Sequence, residues 1–214
     1  MNHAAQLLAQ AMQQCPLVAI LRGLTPQEAP AIGQALADAG LLILEVPLNS
    51  PDPLQSIALL SAAHPDRLVG AGTVYSAEQV RDIHAAGGRL IVSPHWDPAV
   101  VRQALDLEMA CIPGVATPSE AFAAWQAGAH ALKLFPAEMI APPVVKAVRA
   151  VLPPALPLLP VGGIGLGNMA AYWQAGVQGF GIGSALYAPG RSADQVAASA
   201  RDFVQAWRAC AGRR

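Results

Sequence analysis

The chain has 214 residues, the size of one large domain or two small ones. Hydrophobic residues make up 54% and charged residues 13%, which excludes a disordered chain. Gly, Pro or charged residues also interrupt each apolar stretch before the ~18–20 residues that span a bilayer, so no membrane partner is expected. The net charge of −1 gives no field that attracts nucleic-acid phosphates.

Eight short runs rich in Leu, Ile and Val predict eight β-strands, and the Ala-rich segments between them have helical periodicity. This alternation, with apolar strands, is typical of a parallel α/β architecture. The predicted strands are Leu17–Gly23, Leu41–Leu48, Arg67–Val74, Arg89–Pro94, Glu108–Gly114, Ala131–Pro136, Pro157–Ile164 and Gly179–Ala185.

The segments between the predicted strands contain signals for where helices begin and end. Side chains able to cap a helix precede Pro or a first-turn Glu, whereas Ala-Gly pairs stand where helices should end. The starts are Thr25-Pro26, Ser76-Ala77-Glu78, Asp97-Pro98 and Thr117-Pro118-Ser119-Glu120, and the ends are Ala39-Gly40, Ala86-Gly87, Ala127-Gly128 and Ala175-Gly176.

Eight strand–helix units favour a closed (β/α)8 TIM barrel over an open doubly wound sheet. The segment Ala4–Gln14 is expected to form an extra N-terminal helix that closes one end of the barrel. The length leaves no room for a second domain, so residues 1–214 are predicted to form a single barrel domain. In such a barrel the reactive groups lie at the carboxyl ends of the strands.

Lys133 is the most informative residue at those ends. It is one of only two lysines and lies inside an apolar strand, where alternation places it on one face with Ala131 and Phe135. A lysine inside the barrel has a lowered pKa, and its neutral amine attacks carbonyl groups. The alternative is a structural lysine that is buried against a carboxylate.

Two further charged residues end predicted strands. Glu45 shares a face with Leu41 and Ile43, where a carboxylate can shuttle protons for an imine. Arg22 can bind a substrate carboxylate through two parallel hydrogen bonds. The alternatives are that Glu45 only forms a salt bridge with Arg22 or Lys133, and that Arg22 is a surface arginine.

Glycines at the ends of the last two predicted strands indicate a phosphate site. Val161-Gly162-Gly163-Ile164-Gly165 and Gly181-Ile182-Gly183-Ser184 can direct backbone N–H groups, and the Ser184 hydroxyl, at an anion. Glycines also serve plain turns, which is the alternative. No dinucleotide-binding motif follows the first strand, so no nicotinamide cofactor is expected.

The remaining ionisable residues give no sign of metal chemistry. The five histidines are scattered without metal-ligand spacing, so we expect neither a metal nor any other cofactor. Cys15, Cys111 and Cys210 are odd in number and far apart, which argues against disulfides and predicts a cytoplasmic protein.

A Schiff-base lysine, a carboxylate, an arginine and a phosphate loop together predict a class I aldolase, a carbon–carbon lyase, that acts on a phosphorylated 2-oxo acid and releases pyruvate. Several motifs, in order from about Pro16 to Phe203, resemble the 2-keto-3-deoxy-6-phosphogluconate aldolase family. They are Ala19-Ile20-Leu21-Arg22-Gly23, Leu44-Glu45-Val46, Gly70-Ala71-Gly72-Thr73-Val74, Ser93-Pro94, Ile112-Pro113-Gly114, Lys133-Leu134-Phe135-Pro136-Ala137-Glu138, Val161-Gly162-Gly163 and Gly183-Ser184.

The resemblance implies a homotrimeric (β/α)8 barrel and a role for each matching residue. Lys133 is implied as the Schiff base and Glu45 as the acid/base. The remaining implied roles are Arg22 and Thr73 at the pyruvate carboxylate, Pro94 and Phe135 in the pocket wall, and Gly162, Gly163 and Ser184 at the phosphate.

The segment Pro47–Pro51 separates two branches of this family. It reads Pro-Leu-Asn-Ser-Pro and resembles the 2-dehydro-3-deoxy-6-phosphogalactonate aldolases, whereas the gluconate enzymes typically carry a Thr-Leu-Arg-Thr-like stretch. The two substrates differ only in configuration at C4, and Asn49 in place of arginine would alter which hydroxyl geometry is held. We therefore predict the galactonate substrate, with the gluconate epimer as the alternative.

Two other classes of protein stay open. A phosphosugar isomerase or epimerase barrel shares the phosphate loops but needs metal-binding histidines or paired acids, which the sequence lacks. A non-catalytic binder of phosphorylated ligands has no need of an inward lysine. Both are distinguished from an aldolase by insensitivity to borohydride in the presence of substrate.

Overall fold

A computed structural model describes residues 2–212. Helices or loops return the chain to the same end of the sheet between most of its short strands, whereas β5 runs directly into β6. The strands are β1 Leu17–Ile20, β2 Ile43–Pro47, β3 Leu68–Gly72, β4 Leu90–Val92, β5 Ala110–Ile112, β6 Gly114–Val115, β7 Leu132–Leu134, β8 Leu158–Pro160 and β9 Phe180–Ile182.

Helices connect most of these strands, and three of the four predicted helix starts are observed. Ser76 and Asp97 accept N–H groups of the first turns of α4 and α5, and Thr117 forms a capping box with Glu120. Thr25 and Glu28 form similar bonds, but the helix begins only at Ala29. The helices are α1 His3–Gln14, α2 Ala29–Asp38, α3 Pro53–Ala63, α4 Ala77–Ala85, α5 Pro98–Asp106, α6 Pro118–Gln126, α7 Pro142–Arg149, α8 Met169–Gln174 and α9 Ala193–Ala211, with a 3-10 turn at Ala137–Met139.

The prediction of a closed (β/α)8 barrel was wrong. In the described residues the strands form two parallel sheets, one of six strands in the order β5-β4-β3-β2-β1-β9 and one of three in the order β6-β7-β8. The six-stranded sheet curls as a half-barrel, and the second sheet continues beside it without completing an eight-stranded ladder.

Two local features interrupt the hydrogen bonding. The predicted strand Glu108–Gly114 divides at Pro113, which has no N–H to donate, so β5 ends one sheet and β6 begins the other. Between β8 and β9 the described residues form one isolated bridge, Val161 to Gly181, and the Gln178 N–H donates to the Leu158 carbonyl at 3.1 Å. There the side chain of Gln178 accepts the Leu158 N–H, which is therefore not available to the ladder.

Both sheets contribute to one buried cluster in the interior of the molecule. Val18, Ile43 and Leu68 come from the six-stranded sheet, and Leu159 from the three-stranded sheet. Helix α1, the expected N-terminal helix, covers the amino end of this cluster with Ala4, Leu8 and Ala11. The carboxyl ends of the strands, at the opposite end of the cluster, are left uncovered by α1.

A buried histidine lies between helices α2 and α3. His64 follows α3, is 6% exposed, and its Nε2 atom has no hydrogen-bond partner among residues 2–212. A Cβ atom on Gly33 would lie 3.1 Å from that nitrogen, so a side chain in the middle of α2 would crowd the ring. Burial lowers the pKa of His64, and Arg67 lowers it further, whereas Asp66 and Asp38 raise it.

Acid is therefore expected to destabilise the fold through His64. The unfolded chain binds the proton near pH 6.5 and the folded chain only at lower pH, so the free energy of unfolding falls as pH falls from about 7. Urea unfolding at pH 7 and pH 5 should show a smaller loss in His64→Gln than in the wild type. The exposed His84→Gln is the control, and equal losses in His64→Gln and the wild type would contradict the assignment.

Candidate active site

A cavity of about 540 Å³ opens at the carboxyl ends of the strands. Side chains from both sheets line it, together with the loops after β1, β2, β7, β8 and β9. Most of the residues predicted to form the site lie in its wall, namely Arg22, Glu45, Asn49, Lys133, Phe135, Gly162, Gly163 and Ser184. Groups that are distant in sequence therefore face one space.

Lys133 lies in the middle of β7 and is 5% exposed. It pairs with Gly114 of β6 and Leu159 of β8, and its Nζ atom lies 4.5 Å from the centre of the Phe135 ring. The predicted shared face of Lys133 and Phe135 is thus confirmed. Burial lowers the pKa of Lys133, the nearby Glu45 raises it, and Arg22 lowers it, so the environment favours the neutral amine.

Glu45 lies in β2 and is 2% exposed. Burial raises the pKa of its carboxyl group, while the charges of Lys133 and Arg22 lower it. Among residues 2–212 neither Lys133 nor Arg22 forms an ion pair with this carboxylate. The purely structural salt bridge is therefore absent from the described part of the chain, and the Glu45 carboxyl group lies in the wall of the cavity.

The loop after β2 holds the loop after β1. Arg22 donates a hydrogen bond of 2.5 Å from a guanidinium nitrogen to Oδ1 of Asn49, and the Gly23 N–H donates to the Ser50 hydroxyl at 2.9 Å. Asn49 thus contacts the arginine that was predicted to bind a carboxylate. This contact joins residues 27 positions apart, and the sequence analysis did not predict it.

The glycine-rich loop after β8 adopts a conformation that suits glycine. Gly162 and Gly163 have φ angles of +107° and +60°, where side chains are strained. Asn168 accepts the Gly165 N–H at 3.0 Å and donates to the Gly163 carbonyl at 2.8 Å, which fixes the turn. Across the cavity wall, Gly183 and Ser184 follow β9, so both predicted glycine-rich ends meet.

Two predicted site residues do not line the cavity. Thr73 follows β3 with a φ of +61°, an unusual conformation for a residue other than glycine. Pro94 follows β4, and its carbonyl group lies 2.4 Å from where a Cβ atom of Gly114 would be. Both residues are at the correct end of the sheet, but the structure does not bring them together with the other eight.

Other cavity residues were absent from the sequence prediction. Glu138 packs on the glycine loop, since a Cβ atom on Gly162 would lie 2.3 Å from its Oε2 atom. Tyr187 is buried, and its hydroxyl donates to Glu28 at 3.5 Å. Both lie beyond the strand ends, where alternation no longer indicates direction. Glu138 belongs to the motif Lys133–Glu138 that carries the family resemblance, whereas the only signal for Tyr187 was its proximity in sequence to Ser184.

Two other kinds of feature are absent from residues 2–212. No group of three or more His, Cys, Asp or Glu side chains is arranged to hold a metal ion. None of the described helices combines the length and the apolar character that a membrane crossing needs.

Comparison with known proteins places this arrangement in a family. Residues 8–198 match the aldolase family described as KDPG and KHG aldolase. The chain belongs to this family. It is therefore an aldolase, a carbon–carbon lyase that forms an imine with its substrate.

Individual relatives cover nearly the whole chain. A probable 2-dehydro-3-deoxy-6-phosphogalactonate aldolase of Rhizobium meliloti is 49% identical over 85% of this chain and 86% of its own length. The 2-dehydro-3-deoxy-6-phosphogalactonate aldolase of Escherichia coli is 46% identical over 90% of this chain and 95% of its own. A solved structure described as native KDPGal superposes with a TM-score of 0.91 at 44% identity, over 93% of this chain and 97% of that one.

Proposed function

We propose that this aldolase cleaves 2-dehydro-3-deoxy-6-phospho-D-galactonate to pyruvate and D-glyceraldehyde 3-phosphate. The observation that carries this proposal is the buried Lys133 amine, which shares a cavity with the Glu45 carboxylate and the Arg22 guanidinium. The names of the two aldolase relatives support the galactonate substrate.

The reaction begins with attack of the neutral Lys133 amine on the C2 carbonyl, and loss of water gives a protonated imine. The imine accepts the electron pair of the C3–C4 bond as that bond breaks, while Glu45 removes the proton of the C4 hydroxyl. D-Glyceraldehyde 3-phosphate leaves, and Glu45 returns a proton to C3 of the enamine. Water then hydrolyses the pyruvate imine, which restores the Lys133 amine.

Substrate binding is divided between the two halves of the cavity. Arg22 binds the carboxylate with its guanidinium fork, and Phe135 forms part of the apolar wall. Thr73 and Pro94 do not line the cavity and are given no role in this proposal. The backbone N–H groups of the glycine loop and the Ser184 hydroxyl bind the phosphate, as such loops do in related folds. The proposed phosphate-binding residues are Gly162, Gly163 and Ser184. The mechanism uses no metal or organic cofactor.

Asn49 positions Arg22 in this proposal, so its removal should weaken substrate binding. Hydrogen bonds to charged groups contribute about 1.5–3 kcal/mol. Asn49→Ala is therefore expected to raise KM about tenfold, corresponding to ~1.4 kcal/mol, with a smaller change in kcat. Gln34→Ala, which removes an exposed hydrogen bond to Asp38 on α2, is the control. A KM within twofold of the wild type would exclude this role.

The substrate assignment is tested by pyruvate release, coupled to lactate dehydrogenase, from each C4 epimer under identical conditions. We expect a large kcat/KM advantage for the galactonate epimer. Equal values would show that the cavity does not discriminate at C4, and faster cleavage of the gluconate epimer would reverse the assignment. No pyruvate from either epimer would reject the proposed function.

We also propose that the enzyme is a homotrimer, as the family resemblance implies. Large apolar side chains are exposed in the segments that follow β3 and β7, with Tyr75 53% exposed and Met139 79% exposed, and assembly would cover such groups. Sedimentation equilibrium should give three times the mass of one chain, and a monomer mass would reject this assembly.

A cytoplasmic location is proposed from the cysteines. Cys15, Cys111 and Cys210 are all free and buried in the structure. Burial raises the pKa of Cys15 to about 11 and that of Cys111 to about 12, which keeps these thiols protonated and unreactive. Cell fractionation followed by the aldolase assay tests the location.

A further inference from the structure

Two glycines of β3, Gly70 and Gly72, share one face of the strand. Neither has a φ in the left-handed region, so their backbone conformation is open to alanine. Glycine weakens a strand because it has no side chain to pack, so two glycines in a five-residue strand need another reason. The space around each Cα atom gives that reason, and it differs between the two positions.

Gly70 is a glycine because of the neighbouring backbone. A Cβ atom there would lie 2.0 Å from the Leu90 carbonyl oxygen and 2.6 Å from the Leu90 nitrogen. Since Gly70 pairs with Leu90, a side chain would push β3 and β4 apart. The role of Gly70 is therefore to allow close approach of the strands.

Gly72 is a glycine because of a side chain. A Cβ atom there would lie 1.6 Å from Oε1 of Glu45, 2.3 Å from its Cδ and 2.9 Å from its Cγ. All three nearest atoms belong to the glutamate and none to a backbone. The Glu45 carboxylate thus occupies the volume that any side chain at position 72 would fill.

We infer that Gly72 is a positioning residue. Because it has no side chain, the Glu45 carboxylate can occupy the space beside it, which we call the seat of Glu45. The register places Gly72 opposite Pro47, two residues beyond Glu45, so the carboxylate lies along β3 toward the strand ends. A methyl group at position 72 would displace the flexible Glu45 side chain rather than the backbone of either strand. The carboxylate would then lose its place in the cavity wall. The catalytic consequence rests on the role proposed for Glu45.

The test is Gly72→Ala, assayed for aldolase turnover and for borohydride trapping with pyruvate. General acid–base catalysis contributes about 10²–10⁴-fold, so displacement of its carboxylate should lower kcat at least tenfold. Trapping should persist because Lys133 is untouched. Gly167→Ala is the matched control, since an added Cβ atom there meets nothing within 4 Å, and it should retain wild-type kcat.

A double-mutant cycle shows whether Gly72 acts through Glu45. In Glu45→Ala the conflicting atoms are gone, so adding Gly72→Ala should leave kcat and Tm within error of the single variant. A wild-type kcat in Gly72→Ala, or a further tenfold loss in the Glu45→Ala background, would overturn the inference. If Gly72→Ala fails to fold, folding of the double variant supports the inference and its failure to fold overturns it.

These outcomes are separate from those that test the reaction. If the wild type releases no pyruvate, or if Glu45→Gln turns over normally, the proposed function fails. The Tm values then still show whether the Glu45 side chain occupies the space beside Gly72. Gly72→Ala should lower the Tm in the wild-type background and not in Glu45→Ala.

Discussion

Lys133→Met is expected to reduce pyruvate release to the uncatalysed background. Methionine has a similar shape but no amine, so no imine forms and the C3–C4 electron pair has no acceptor. Because Lys133 is 5% exposed and burial opposes its charge, removal of the amine should leave the Tm unchanged or raise it. Loss of activity without loss of folding is measured by the coupled assay and circular dichroism.

The chain provides a matched control for this substitution. Lys146 is the other lysine and is exposed on α7, so Lys146→Met removes the same group from a site outside the cavity. It should retain wild-type kcat and KM. Measurable turnover above background in Lys133→Met, or a comparable loss in Lys146→Met, would contradict the role of Lys133.

Glu45→Gln is expected to lower kcat by about 10²–10⁴-fold, the usual contribution of a general acid–base group. Glutamine fills the same space beside Gly72 but cannot carry the proton between the C4 hydroxyl and C3. Borohydride with pyruvate should still trap the variant, because imine formation uses the Lys133 amine. The two readouts together separate proton transfer from covalent catalysis.

The pH profile gives a second test of Glu45. Burial raises the pKa of this carboxyl group, which brings its titration closer to neutral pH. The wild-type kcat should therefore fall on the acid side as Glu45 becomes protonated, and this limb should be missing in Glu45→Gln. Glu78→Gln, on the exposed face of α4, is the control. An acid limb unchanged in Glu45→Gln would assign it to another group.

Local sequence patterns predicted the strands better than the way they join. Each predicted strand contains an observed one, because runs of Leu, Ile and Val bury both faces of a parallel strand. Closure of the barrel was predicted from the number of repeats alone. The observed ladder breaks instead at single groups, at Pro113, which lacks an N–H, and at the Leu158 N–H, which the Gln178 side chain accepts. Neither the hydrophobic pattern nor the length of the repeats contains that information.

The candidate site was predictable where a charged residue interrupts an apolar strand. Lys133 and Glu45 stand out for this reason, and strand alternation gives their direction. Loop geometry follows no such period, so the bond from Arg22 to Asn49 and the packing of Glu138 on Gly162 were not predicted. The placement of Glu45 beside Gly72 depends on the register of β2 against β3, which is set only in the folded chain.

The most direct test of the central claim is the location of the trapped adduct. The wild-type enzyme is incubated with pyruvate, reduced with borohydride, digested and analysed by peptide mass spectrometry. We predict one reduced pyruvate adduct per chain, on the peptide that contains Lys133. An adduct on Lys146 or on the amino terminus, or no adduct under conditions where the enzyme is active, would contradict the imine mechanism.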